Sequence, residues 1–128
     1  MSTDFTVTCH LSAAGPVLTF AGELDSATAP AARAAIGTLE LCAGQLVVVE
    51  LSGLEFCDSS GITALLAARN RATDAGAGIA LAAVPPNLAR IFKLIGLMMV
   101  FTNYPTVAEA QHSWRVPEPG PQAATSLE

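Results

Sequence analysis

The segment Leu46-Val47-Val48-Val49 limits the possible folds of this chain more than any other. It is apolar and β-branched, with no polar residue at alternate positions. A strand with one face in water alternates, whereas a strand covered on both faces reads as a continuous apolar run. Such strands are typical of sheets with parallel neighbours. Parallel neighbours need long crossover connections, usually helices. A chain built around this segment is therefore layered, with helices packed on a sheet. At 128 residues it has the length of one domain.

The flanking segments supply the other pieces. Phe5 to His10 alternates loosely, Ala14-Gly15-Pro16 reads as a turn, and Val17 to Ala21 reads as a second strand, so the chain opens on a hairpin. After Gly22-Glu23-Leu24-Asp25, Ser26 and Thr28 are candidate N-caps for a helix running to about Leu41. Pro30 falls in its first turn, and Ala32, Ala35, Ile36 and Leu39 form its apolar stripe. Ala43-Gly44 ends it. The central strand spans Gln45 to Leu51, and Ser52-Gly53 is expected to turn the chain. A second helix follows, with Ile62, Leu65 and Leu66 inward and Arg69 at the edge of the stripe. It stops in the Gly-rich stretch from Asp74 to Gly78. Ile79 to Val84 is another strand, closed by Pro85-Pro86. Asn87 is the candidate cap of a short helix with Leu88, Ile91, Phe92 and Ile95 on one face, ending at Gly96. Leu97 to Phe101 reads as an edge strand. Thr106-x-x-Glu109 is a capping box that opens a last helix ending near Trp114.

The order is β-β-α-β-α-β-α-β-α. It predicts one α/β domain over residues 1–115, with a mixed central sheet of about five strands and about four helices. Pro117, Pro119, Gly120, Pro121 and the small residues beyond predict a disordered tail over 116–128, its last residues open to reading as vector-derived.

Composition narrows the function. With 52% hydrophobic and 13% charged residues the chain should fold. Six basic against eleven acidic residues leave a net charge of −5, and Lys93 is the single lysine. No basic face is available for nucleic-acid phosphates or an anionic membrane. No apolar run reaches the ~18 residues of a membrane-spanning helix. Met1-Ser2-Thr3-Asp4-Phe5 lacks the pattern of a secretory signal. Cys9, Cys42 and Cys57 form no C-x-x-C pair and read as free thiols in a reducing compartment, so a cytoplasmic location is expected.

The requirements of catalysis are not met. Ser59 and Ser60 are surrounded by no G-x-S-x-G elbow, and the two histidines, His10 and His112, have no spacing that would pair them with a serine or with Cys57. Glu55 and Asp58 are a weak basis for acid–base work. No metal-ligand or nucleotide-binding motif is present, so neither a metal nor a cofactor is expected, and the chain does not read as an enzyme. Asp58-Ser59-Ser60-Gly61 stands where a buried segment meets an amphipathic helix. Asp and Ser are N-cap residues, so simple capping is one reading; three polar side chains in a row, where one cap needs one, pull toward a functional one. Gly61 lets another backbone approach closely. A serine at a helix start is open to a kinase, whose phosphate would add about −1.5 to −2 charge.

These residues carry a resemblance. Gly22-Glu23-Leu24-Asp25, the segment from Leu46 to Phe56, Asp58-Ser59-Ser60-Gly61, and the segment from Pro86 to Leu97 resemble, in that order and spacing, the anti-sigma factor antagonists of the STAS domain family. The match spans roughly Phe5 to Ser113. It implies partner switching. The unphosphorylated antagonist binds an anti-sigma factor that is also a serine kinase with an ATP-binding fold, and the sigma factor is released. The kinase then phosphorylates the serine after the aspartate, which maps to Ser59, with Ser60 the alternative. A metal-dependent PP2C-type phosphatase reverses the step. The resemblance makes Gly22, Glu23, Leu24, Asp25, Asp58, Ser59, Ser60 and Gly61 the partner-binding surface, with Asp58 positioning the hydroxyl. Oligomeric state is left open, with a monomer the default expectation for the free form. Cys57, just before the motif, is either a redox control point or a small buried hydrophobe. The rival within the family is a STAS subunit of a lipid-transport or stress-sensing complex, which acts by protein–protein binding without phosphorylation. An anion-transporter role is set aside because no membrane segment is read.

Overall fold

The computed structural model describes residues 5–114. Strands β1 (Thr6–Ser12) and β2 (Gly15–Leu24) pair antiparallel with Ser12 opposite Gly15. Gly15 and Pro16 therefore belong to the strand, and the turn is shorter than the sequence suggests. The remaining strands, β3 (Leu46–Cys57), β4 (Gly78–Ala82) and β5 (Thr102–Tyr104), add in parallel, giving the order β1-β2-β3-β4-β5. Helices α1 (Ala29–Gly37), α2 (Ser59–Asp74) and α3 (Pro86–Leu94) make the crossovers, and α4 (Val107–Ser113) follows β5. The expected α/β order and mixed five-stranded sheet are as observed.

Each crossover moves one strand further in the same direction. Right-handed crossovers then place α1, α2 and α3 on one face. The core follows: Val47 and Val49 pack in the cluster containing Ala32, Leu65 and Phe92, while Leu46 and Val48 face Ala110 of α4 on the other side. The unbroken apolar run of β3 thus serves two cores. Phe5 meets Phe20 edge-on at 5.7 Å across the hairpin end of the sheet.

Several local expectations are corrected. Ser52-Gly53 does not turn the chain. β3 continues to Cys57, and the extra residues are absorbed as an irregularity against β2 between Thr19↔Glu50 and Ala21↔Gly53. α1 stops at Gly37, well before Leu41, although Leu39 still buries. Asn87 is inside α3. Pro85 holds the N-cap position and Pro86 the first turn, where a missing N–H costs nothing. The buried stripe of α2 is Gly61, Ala64, Leu65, Ala68 and Ala72, with Ile62 and Leu66 only partly buried. Small residues on that face let the helix approach the sheet closely. Leu97 to Phe101 is no strand. Leu97–Met99 forms a 3-10 turn, and the edge strand begins at Thr102. A strand would place Met99 on the face of Leu97 and Phe101, yet Met99 is 92% exposed while the other two are buried. The capping expectation at α4 holds, with the Glu109 N–H donating to Thr106 Oγ1 at 3.0 Å. The predicted tail over 116–128 lies outside the described residues.

Candidate functional site

The carboxyl ends of β2 and β3 are adjacent in the ladder, Glu23 opposite Phe56 and Leu24 opposite Cys57. Two loops leave these ends, one to α1 and one to α2. In parallel α/β sheets this edge is where partners and ligands meet the protein. It gathers the two blocks that the sequence singled out, Gly22 to Asp25 and Asp58 to Gly61.

The first loop is closed on itself. Gly22 has φ +98°, a conformation that side chains rarely adopt, and marks an irregularity in the β2–β3 ladder. Asp25 Oδ1 accepts from the N–H groups of Ala27 at 3.0 Å and Thr28 at 3.2 Å. Thr28 Oγ1 accepts from the Asp25 N–H at 2.9 Å and donates to the Glu23 carbonyl at 2.7 Å. Thr28 is thus at the N-cap position of α1, yet its hydroxyl braces the loop behind it and makes no side-chain cap. Ser26 is exposed. The side chain of Leu24 and the residue Gly22 are buried, so both support the loop from below, whereas Glu23 and Asp25 are partly exposed.

The second loop is tied to the first by the Asp58 N–H, which donates to the Leu24 carbonyl at 3.2 Å. Asp58 is the N-cap of α2. Its backbone is extended, and its Oδ1 accepts from the N–H groups of Ser60 at 2.9 Å and Gly61 at 3.2 Å. One carboxylate therefore does the capping for the whole motif, and neither serine hydroxyl is spent on it. Ser59, the first residue of α2, is exposed, and among the described residues its hydroxyl forms no hydrogen bond. Its carbonyl accepts from Thr63 Oγ1 at 2.9 Å. Ser60 is half-buried and lines a cleft of about 220 Å³ between α1 and α2. Gly61 is where the helix meets the end of β2. A Cβ there would lie 2.6 Å from Cys57 Sγ and 2.9 Å from the Leu24 carbonyl oxygen. The expected close backbone approach is that of Leu24.

Cys57 is 6% exposed. Burial, and after it the Asp58 carboxylate, pushes its thiol up from the ordinary 9.0 to about 12. A protonated, enclosed thiol is a poor nucleophile and a poor target for oxidation, so of the two sequence readings the small buried hydrophobe is favoured. The thiol also lies on the α1–α3 side of the sheet. His10 pairs with Val17, whose side chain belongs to the opposite core, and His112 is on α4. The sheet separates both histidines from Cys57. Among the described residues no three His, Cys, Asp or Glu side chains come together to hold a metal ion, and no helix is long and apolar enough to cross a membrane.

Sequence reasoning named Thr28 only as a candidate cap and missed Arg33. Thr28 was legible as a polar residue three positions after Asp25, but only the loop geometry directs its hydroxyl backward. Arg33, one turn into α1, lines the cleft beside Ser60.

The STAS domain family profile matches residues 6–110. No curated protein matches the chain. Among solved structures, an anti-sigma factor antagonist from Mycobacterium paratuberculosis is 29% identical, with 90% of this chain and 99% of that one covered at a TM-score of 0.75. An anti-sigma-factor antagonist STAS domain protein from Planctomyces limnophilus is 22% identical, covering 84% and 97% at a TM-score of 0.70. The Bacillus cell fate determinant SpoIIAA in its phosphorylated form is 22% identical, covering 88% and 100% at a TM-score of 0.61. At 22% identity the likeness is one of fold.

Proposed function

The chain belongs to the STAS domain family, and from that premise we propose that it is an anti-sigma factor antagonist that works by partner switching. In its unphosphorylated form it binds an anti-sigma factor serine kinase and thereby frees a sigma factor, in the bacterial cytoplasm and as part of a stress response. The neighbour from Mycobacterium paratuberculosis, an anti-sigma factor antagonist covered over nearly its whole length, supports the role.

The observation that carries the reading is the exposed, unbonded hydroxyl of Ser59 on a backbone pinned by Asp58. Ser59 Oγ attacks the γ-phosphorus of ATP held by the kinase. A P–O bond forms to Oγ, the bond to the β–γ bridging oxygen breaks, ADP leaves, and the hydroxyl proton passes to a base on the kinase. Ser60 is the alternative acceptor. The chain does no chemistry of its own in this step; it presents the nucleophile. A PP2C-type phosphatase then transfers the phosphoryl group to water.

A phosphate at the start of α2 lies at the favourable end of the helix dipole, so it should leave the fold intact. Its effect falls on the interface. Charge placed beside Asp58 meets a surface that received a neutral hydroxyl, and like charges brought together in an interface cost several kcal/mol. About 1.4 kcal/mol is already tenfold in affinity.

The test is capture from host lysate on three baits, the wild-type chain, Ser59→Ala and Ser59→Asp, with bound proteins identified by mass. Partner switching requires a kinase of the ATP-binding fold on the alanine bait that is lost on the aspartate bait. The same partners on all three baits would instead support a subunit of a lipid-transport or stress-sensing complex.

A further inference from the structure

Ser59 and Ser60 are neighbours in sequence but face different surroundings. Ser59 is exposed, while Ser60 lines the cleft between α1 and α2 with Ser26, Ala29, Pro30, Arg33 and Thr63. Helical spacing explains the lining: Ala29 and Pro30 stand four and three positions before Arg33 on α1, and Ser60 stands three before Thr63 on α2. No carboxylate lines this cleft, in a chain of net charge −5. Its lining carries one guanidinium and three hydroxyls, of which Thr63 Oγ1 donates to the Ser59 carbonyl. Among the described residues Arg33 has neither an ion pair nor a hydrogen bond. An exposed guanidinium with no protein partner, lining with these hydroxyls a space of about 220 Å³, is suited to a tetrahedral oxyanion, which Arg binds through two parallel N–H groups.

We propose that Arg33 is the built-in counter-charge for a phosphoryl group on Ser60, so that phosphate on the two serines has opposite consequences. On Ser59 the charge faces the partner. On Ser60 its charge is offset by Arg33 in the chain's own cleft. The group is supplied as at Ser59: Ser60 Oγ bonds to the γ-phosphorus of a kinase-held nucleoside triphosphate, the diphosphate leaves, and the proton goes to a base of the kinase. The inference rests on the partner-switching reading for that kinase and adds to it a reason why the motif needs one particular serine. The other charged groups at this edge are Glu23 at the end of β2, Asp25 before α1 and Asp58 at the cap of α2. The two aspartates have Oδ1 committed to backbone N–H groups, and all three carboxylates oppose the second ionisation of a nearby phosphate. Arg33 favours it.

The experiment uses the full chain with phosphoserine installed during translation at position 59 or 60. Each is made with Arg33, with Arg33→Gln and with Arg33→Lys, and the phosphate is titrated by its ³¹P shift. The Ser60 phosphate should ionise below the ordinary second pKa of about 6. Its pKa should rise by about half a unit or more in Arg33→Gln, with Arg33→Lys between the two. The Ser59 phosphate should move by less than half as much. A Ser60 phosphate indifferent to Arg33, or a Ser59 phosphate that responds as strongly, overturns the assignment. These titrations contain no kinase, so a failure of the partner-switching reading, seen as a lack of kinase capture, is a separate result.

Discussion

The two loops at the carboxyl ends of β2 and β3 begin alike and end differently. Each places an aspartate just past its strand, and each aspartate accepts backbone N–H groups. At Asp25 the carboxylate, Thr28 and the Glu23 carbonyl close into one network, and of the side chains that follow only the exposed Ser26 stays outside it. At Asp58 one oxygen caps α2 alone, and the Ser59 hydroxyl is left outside. One loop is a braced wall and the other holds out a nucleophile. The same residue type does both, and the polar side chains that follow it make the difference.

The sharpest way to break this comparison is Ser59→Asp. It should weaken kinase binding by at least about tenfold, and by more if several kcal/mol of like-charge repulsion is realised. The melting temperature should stay within a few degrees, measured beside the affinity by calorimetry. A large loss of stability with unchanged binding would mean that Ser59 is part of the scaffold.

Next in size is Gly61→Ala. The new methyl collides with Cys57 Sγ and the Leu24 carbonyl, so the two loops must separate. Overpacking of this kind costs about 1–3 kcal/mol, read from denaturant unfolding. A neutral result would show that the loops are not locked together at this point.

The two aspartates come third. Asp58→Ala removes the only side-chain cap of α2 and should cost about 1 kcal/mol. It should also loosen the backbone under Ser59 and slow its phosphorylation. Asp25→Ala, by contrast, should lower stability with little effect on the phosphorylation rate. Equal effects on the rate would erase the distinction between wall and presented site.

The smallest effect is at Cys57. A thiol reagent at pH 8 should label the exposed Cys9 and Cys42 promptly and the buried Cys57 only on unfolding. The folded thiol titrates near 12 against an ordinary 9.0, so above pH 9 the folded chain keeps a proton that the unfolded chain has lost. The stability this contributes is complete below 9 and declines as pH rises toward 12. Cys57→Ala should flatten that part of the stability–pH curve.

Much of this was legible in the residues. The run Leu46 to Val49 announced a strand buried on both sides, and Thr106 with Glu109 announced the start of α4. Asp58-Ser59-Ser60-Gly61 was legible as the start of α2, capped by Asp58. What stayed hidden depended on contacts between distant segments. Ser52-Gly53 has the chemistry of a turn, but pairing with β2 stretches it into a bulge. Leu97 to Phe101 has the composition of a strand, but the left-handed Gly96, at φ +81°, and the burial of Leu97 and Phe101 coil it into a turn.

The sequence by itself determined the layering, the element order and the helix start at Asp58, because periodicity and capping chemistry are local. Only the tertiary structure decided which serine is open and which lies in a cleft with Arg33. It also decided that Cys57 is sealed and that Asp25 is used up by its own loop. These depend on the parallel pairing of β2 with β3, which brings together segments more than thirty residues apart in the chain.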